Sequence, residues 1–268
     1  MWSSRQRDSR DVEMLEQTMM RLEQPMKLLE VCGVTKRFGG LLALHQVYCT
    51  IEQGQITGLI GPNGAGKTTL FNLIAGEFAP DQGRILLQGE PIHRLSSNAI
   101  CKRGIARTFQ MVRPFLNLTT LRNVVMAASF GRTPTPSYHE AEAIAWHWLE
   151  FMGLADKAHV LAKSLPLGER KRLEMARALA TQPQLLLLDE AIAGLNPTEV
   201  DQVMDLIRAV QGTGVTICLI EHVMKAILGL SDKVIVLNHG EKIAEGPPQE
   251  VANDPQVIAA YLGHKRPA

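Results

Sequence analysis

The stretch from Ile56 to Thr69 constrains this chain more than any other. Ile56-Thr57-Gly58-Leu59-Ile60 reads as a buried strand, and Gly61-Pro62-Asn63-Gly64-Ala65-Gly66-Lys67-Thr68-Thr69 follows it at once as a glycine-rich loop and a helix start. Gly61, Gly66, Lys67 and Thr68 satisfy the spacing G-x-x-x-x-G-K-[ST]. Glycines let consecutive backbone N–H groups converge on phosphate oxygens without a Cβ in the way, and the helix beginning near Thr68 adds the positive end of its dipole. Lys67 would neutralise the β- and γ-phosphates while the Thr68 hydroxyl supplies a ligand to Mg²⁺, which predicts a nucleoside triphosphate rather than a dinucleotide. A glycine turn that merely joins strand to helix is the alternative. All four residues at the required spacing, with the right flanks, argue against it.

The 268 residues, 46% of them apolar, suffice for one large domain or two small ones with a packed core. A formal charge of +1 gives no global bias toward nucleic acid or anionic lipid. Cys32, Cys49, Cys101 and Cys218 form no C-x-x-C pair and sit in apolar or strand-like stretches, so reduced, buried thiols of a cytosolic protein are expected, with neither zinc nor a disulfide framework. No uncharged apolar run approaches the roughly 18 residues of a membrane span, so contact with a membrane is expected to go through another protein.

Residues 1–25 mix Arg5, Arg7, Asp8, Arg10, Asp11, Glu13 and Glu16 with few large apolar groups and are expected to form a mobile or weakly helical extension. A strand is expected from Leu28, and short β-like runs from Gly33 to Ile60, including Val47 to Ile51; the helix after the phosphate loop ends at Gly76, and Arg84 to Gly89 is a further strand and turn. From Gly104 to Gln182 the pattern turns helical, with Leu121, Val124, Val125 and Ala128 on one face. After a loop from Gly131 to Ser137, Ser137 and Glu140 resemble a capping box, and Ala141, Ile144, Ala145, Trp148 and Met152 form a stripe. Trp146 and Trp148 leave two readings, a cofactor platform or a helix packed on its neighbours, and the stripe favours the second.

Leu185-Leu186-Leu187-Leu188 ends in Asp189-Glu190, as a fully buried parallel strand delivering two carboxylates would. Asn196-Pro197 starts a helix with Val200, Val203, Leu206, Ile207 and Val210 on its apolar face. Val215 to Ile220 is another buried strand, ending at Glu221-His222, and Val234 to Ala244 reads as a hairpin turning at Asn238-His239-Gly240. The alternation of strand and helix argues for a mostly parallel sheet with helices around it. Phosphoryl transfer to water needs charge neutralisation, a held Mg²⁺ and a group that orients the water. Asp189 suits the metal and Glu190 the general base, at the end of a strand beside the phosphate loop.

Together the loop from Gly61 to Thr68, Asp189-Glu190, Arg107-Thr108-Phe109-Gln110 and Ile220-Glu221-His222 resemble the nucleotide-binding subunit of an ATP-binding cassette (ABC) transporter, over nearly everything from Leu28 to Leu262. The resemblance implies an α/β P-loop NTPase core with a mostly parallel sheet, an N-terminal antiparallel β subdomain, and an α-helical subdomain inserted at about 105–182, all within one domain spanning 26–264. It implies ATP and Mg²⁺, with Gly61, Pro62, Asn63, Gly64, Ala65, Gly66, Lys67, Thr68 and Thr69 around the phosphates, and Thr68, Gln110 and Asp189 at the metal. Glu190, His222, Gln110 and Lys67 are the implied catalytic set, His222 touching the γ-phosphate and Gln110 also the membrane subunit. Phe38 takes the place of the aromatic that stacks on adenine, a contact worth roughly 1–3 kcal/mol in nucleic-acid binders. A core phenylalanine is the plainer alternative.

The family's Leu-Ser-Gly-Gly-Gln signature, which binds the partner subunit's ATP, corresponds to Leu165-Pro166-Leu167-Gly168-Glu169. Pro166 removes the hydroxyl and Leu167 the first glycine, whereas Gly168 and the helix N-terminus can still offer backbone N–H groups to the partner's ATP. The family's proline after the catalytic glutamate is Ala191, and its D-loop is Ala193-Gly194-Leu195-Asn196. Within the family, Lys36 to Gly40, Arg107 to Gln110, Gly194 to Pro197 and the ending from Ile243 to Gly263 are most similar to the branched-chain amino acid group, with urea transporters as close relatives. The implied partners are a second, homologous ATP-binding subunit in a heterodimer, two integral membrane permeases and indirectly a solute-binding protein, at the cytoplasmic side of the inner membrane. Nucleic acid is not expected. A DNA-processing cassette ATPase would carry coiled-coil or zinc-bearing insertions, and a translation factor two cassettes; intact Lys67, Asp189, Glu190 and His222 argue against a regulator that binds ATP without hydrolysing it.

Overall fold

The computed structural model describes residues 26–135 and 137–262, so the extension expected at 1–25 lies outside the described residues. Four strands, β1 (Lys27–Phe38), β2 (Leu41–Glu52), β4 (Gln82–Leu87) and β5 (Glu90–Pro91), form an antiparallel sheet in the order β2-β1-β4-β5. Six others, β3 (Ile56–Ile60), β6 (Ile105–Arg107), β7 (Leu185–Asp189), β8 (Thr216–Ile220), β9 (Lys233–Asn238) and β10 (Glu241–Gly246), form a second sheet in the order β10-β9-β3-β8-β7-β6. All neighbours in it are parallel except the β9–β10 hairpin. The mostly parallel sheet expected of the chain is therefore present, beside an antiparallel one.

The short β-like runs expected after Gly33 are two strands of 12 residues each. β1 continues across Gly33, which adopts φ +63° where the pairing with β2 shifts register between Val31 and Val34. A bulge of this kind interrupts the two-residue period without ending the strand. A second departure is β6. The stretch expected to be helical from Gly104 opens with three residues that pair in parallel with Leu185 to Leu187, too short a run to show a period.

Alternate residues of the parallel strands feed two cores. Leu186, Leu188, Ile217, Leu219, Val234 and Val236 face one, and Leu185, Leu187, Cys218, Ile220, Ile235 and Leu237 face the other. A sheet covered on both sides needs apolar residues at every position, which is why Leu185 to Leu188 form an unbroken run. The second core is shared with the antiparallel sheet and with α1 (Lys67–Ile74), which starts at Lys67 and ends before Gly76 at φ +72°. The helices α2 (Ser97–Lys102) and α3 (Thr120–Ala128) follow, α3 burying Leu121, Val124, Val125 and Ala128 as its spacing predicts.

In α4 (Tyr138–Phe151), Ala141, Ala145 and Leu149 are buried, Trp148 packs half-buried against the core, and Trp146 stays more exposed, edge-on to His159 at 6.0 Å. Ser137 Oγ accepts the Glu140 amide at 3.5 Å. Next comes α5 (Leu167–Ala180), and then α6 (Pro197–Gly212), where Asn196 and Glu199 make both bonds of a capping box. The last helices are α7 (Met224–Leu230), α8 (Pro248–Ala252) and α9 (Pro255–Leu262). Of the four cysteines expected to be buried, Cys49 and Cys218 are, whereas Cys32 and Cys101 are half-buried; all are free thiols. Burial pushes the Cys49 thiol up to about 12.

The phosphate loop hangs on the end of β3. Gly61 leaves that strand at φ +146°, where a Cβ would stand 2.0 Å from the Leu237 carbonyl oxygen of β9. Gly61→Ala must therefore separate β3 from β9, and it should destabilise the fold by at least about 1–3 kcal/mol, read as a lower urea midpoint. An unchanged midpoint would show that the two strands tolerate a methyl group between them.

Candidate functional site

Parallel pairing brings three strand ends level. Leu59 lies beside Ile220, and Ile220 beside Asp189, so the segments that follow β3, β7 and β8 emerge on one rim of the sheet. In open α/β sheets ligands bind at that carboxyl rim. A cavity of about 350 Å³ opens there, lined by Asn63, Gly64, Ala65, Gly66, Lys67, Thr68 and Thr69 of the loop, by Gln110, Glu190 and His222, and by Phe38. The sequence expectation had these residues at one site, and the fold gathers them around one cavity. Phe38 is 41% exposed and therefore not a core residue; it meets Phe78 edge-on at 5.5 Å, with Lys36 Nζ 5.4 Å from its ring centre.

Lys67 is buried at the N-terminus of α1, its Nζ donating to the carbonyl oxygens of Gly61 at 2.7 Å and Pro62 at 3.0 Å. Burial pulls its ammonium below the ordinary lysine range, against the opposing pull of the Glu190 and Asp189 carboxylates. Gly66 must be glycine for a second steric reason. At φ +102° a Cβ would lie 2.7 Å from the Ala43 carbonyl oxygen.

Glu190 follows β7 in the left-handed region at φ +52°, uncommon for a residue with a side chain. Its carboxylate is bracketed: Gln110 Nε2 donates to Oε2 at 3.0 Å, and His222 Nε2 lies 3.2 Å from Oε1. Three residues from three loops thus meet at one carboxylate.

Asp189 behaves differently. It is 3% exposed, its N–H donates to Thr108 Oγ1 at 3.2 Å, and its Oδ2 accepts from the Arg107 guanidinium at 2.9 Å. Arg107 also donates to Asn72 Oδ1 of α1, and its guanidinium carbon lies 5.3 Å from the Phe109 ring centre. Sequence reasoning used Arg107 only as a motif letter and missed this ion pair. The one signal was its place two residues before Phe109 and three before Gln110, which does not say what it would pair with.

Among the described residues no group of three or more His, Cys, Asp or Glu side chains could hold a metal by itself. Thr68 and Gln110 line the cavity, whereas Asp189 does not, and one of its oxygens is engaged by Arg107. An all-oxygen set of one hydroxyl, one amide and one carboxylate fits Mg²⁺, which commonly takes few protein ligands and completes its octahedron with phosphate and water. Gly168 is not part of this cavity. It is buried in the first turn of α5, where a Cβ would stand 2.9 Å from Glu199 Oε1, the movable end of a flexible side chain.

A family model described as ABC transporter matches residues 44–193, more than half of the chain, and one described as branched-chain amino acid ATP-binding cassette transporter matches 241–266. The high-affinity branched-chain amino acid transport ATP-binding protein BraF of Pseudomonas aeruginosa is 43% identical over 249 residues, 88% of this chain and 98% of that protein. Among solved structures, a nucleotide-free ATP-binding cassette from an ABC transporter superposes with a TM-score of 0.83 at 31% identity, covering 89% of this chain and all of the other. A dimeric cassette in a post-hydrolysis state, bound to ADP and Pi, gives 0.75 at 25% identity, with 82% and 99% covered. By sequence and fold alike, the chain belongs to the ABC transporter family, as an ATP-binding and ATP-hydrolysing transporter subunit.

Proposed function

We propose that this subunit powers an importer of branched-chain amino acids. The observation that carries the reading is the 43% identity to BraF across nearly the whole of both chains, and the separate C-terminal match at 241–266 supports it. Among the described residues no helix is long and apolar enough to cross a membrane. As the likeness to BraF suggests, the subunit works through permeases, docked peripherally at the cytoplasmic side of the inner membrane. The segment after Gln110 is the contact, its exposed Met111, Phe115 and Leu116 offering apolar area to a membrane partner. The cassette at 26–264 pairs with a second, homologous ATP-binding subunit, and Gly168 at the start of α5 faces that partner's ATP.

ATP lies in the 350 Å³ cavity, its adenine against Phe38 and its phosphates under the loop N–H groups and Lys67. Thr68, Gln110 and Asp189 would hold Mg²⁺, which when bound screens charge on the β- and γ-phosphates. Glu190 accepts the proton of the attacking water, and Gln110 and His222 orient its carboxylate.

Glu190→Gln should lower hydrolysis by roughly 10² or more while leaving ATP affinity nearly unchanged. Turnover near the parent rate would remove Glu190 from the base role. Lys67→Ala should instead weaken ATP binding itself, by about 10- to 100-fold, since it deletes a charge-assisted contact in the cradle. Unaltered equilibrium binding of ATP would refute the cradle geometry. The solute is tested by isolating the membrane partners with the tagged chain and measuring uptake by the assembled complex. Leucine, isoleucine and valine uptake that Lys67→Ala abolishes is expected; uptake of urea in their place would reassign the transporter.

A further inference from the structure

Glu190 holds a backbone conformation that costs a non-glycine residue roughly 1–3 kcal/mol, so its surroundings must hold it there. Its N–H donates to the Ile220 carbonyl at 2.9 Å, and its own carbonyl oxygen accepts from Ala193 N–H at 3.3 Å and, more closely, from Lys171 Nζ at 2.7 Å. Lys171 is 7% exposed and belongs to α5. Neither the site's chemistry nor the family motif gives it a role.

Three residues at three-residue spacing, Gly168, Lys171 and Glu174, share one face of α5. Each meets a different functional loop. Gly168 abuts Glu199 and Leu195, at the turn that enters α6. Lys171 holds the Glu190 carbonyl. Glu174, 6% exposed, accepts the Phe109 and Arg113 amides at 3.3 and 3.5 Å, on either side of Gln110. A fourth loop joins through Glu221, beside His222, whose buried carboxylate accepts the Ile192 amide at 3.0 Å. Burial lowers the Lys171 ammonium, and the carboxylates of Glu221, Glu174 and Glu190 oppose that shift.

We propose that Lys171 is a positioning residue for Glu190: its ammonium fixes the left-handed backbone that aims the carboxylate between Gln110 and His222, and so ties the aim of the base to the placement of α5. The proposal rests on the reading of Glu190 as general base. Without the Nζ donor the Glu190 carbonyl keeps only the Ala193 amide, and the backbone is free to relax toward right-handed conformations. The carboxylate then swings off its two side-chain partners while the phosphate cradle stays intact. A displacement of α5 is transmitted to Glu190 through the same contact.

The test is a double-mutant cycle on the full chain, reading ATP affinity and hydrolysis separately. Lys171→Met keeps the apolar stem and removes the ammonium; the turnover number should fall by roughly 10²-fold, the scale of a misplaced catalytic group, with ATP affinity unchanged to about twofold. In a Glu190→Gln background the same change should cost nothing further, because the carboxylate it aims is gone. A merely structural lysine would lower both backgrounds alike. If Lys171→Met does not fold, Lys171→Gln takes its place in the cycle. Parent-like turnover in the folded variant, a loss of ATP affinity matching the loss of rate, or additivity with Glu190→Gln would overturn the proposal. Near-parent hydrolysis by Glu190→Gln alone would instead overturn the base assignment, a separate outcome.

Discussion

The arrangement depends on parallel pairing of β3, β8 and β7 with their ends level. Because Leu59, Ile220 and Asp189 stand side by side, the glycine-rich loop, Glu190 and His222 emerge from distant parts of the chain onto one rim with no further device to align them. A shift of one residue between these strands would turn each side chain to the opposite core and displace its loop by about 3.3 Å. The two apolar cores therefore hold the site in register. Leu186 and Leu188 point to one and Leu185 and Leu187 to the other, so a slipped β7 would mismatch both.

Features written in local chemistry were legible in the sequence. The phosphate loop announces itself because its glycines, lysine and threonine sit at fixed offsets, and the start of α6 because Asn196, Pro197 and Glu199 satisfy cap, first-turn and return-bond preferences together. The buried strand at Leu185 to Leu188 was equally plain, being apolar at every position. The strand β6 was not, since three residues paired only with a segment some 80 positions later carry no local pattern. The ion pair of Arg107 with Asp189 and the bond from Lys171 to Glu190 were hidden for the same reason. Arginine and lysine are ordinary surface residues by prior, and only the assembled fold shows that these two are buried against the end of β7. Gly168 is a mixed case. Its place at a helix start pointed toward phosphate, whereas the structure shows it beside the movable carboxylate of Glu199 at the start of α6.

Glu190 shows how a strained backbone conformation is held in place. Three polar contacts hold its backbone, from β8, from the turn to Ala193 and from α5, and two hold its carboxylate, from the Gln110 segment and from His222. No single element could impose the left-handed conformation, but elements packed on both sides of the sheet over-determine it. The geometry of Glu190 is thus a property of the tertiary fold rather than of the tetrapeptide around it.

Two buried cations flank the acidic pair from opposite sides and do different things. Arg107 takes the side chain of Asp189 and, through Asn72 and the ring of Phe109, links it to α1 and to the segment of Gln110. Lys171 takes the backbone of Glu190 and leaves its carboxylate to the cavity. A buried ion pair such as the first adds little net stability, because desolvation offsets attraction; what it fixes is the position of the Asp189 carboxylate. Asp189 is held back by its arginine while Glu190, one residue on, is turned forward by its lysine. The two adjacent carboxylates are thus set apart by which part of each residue the neighbouring cation holds.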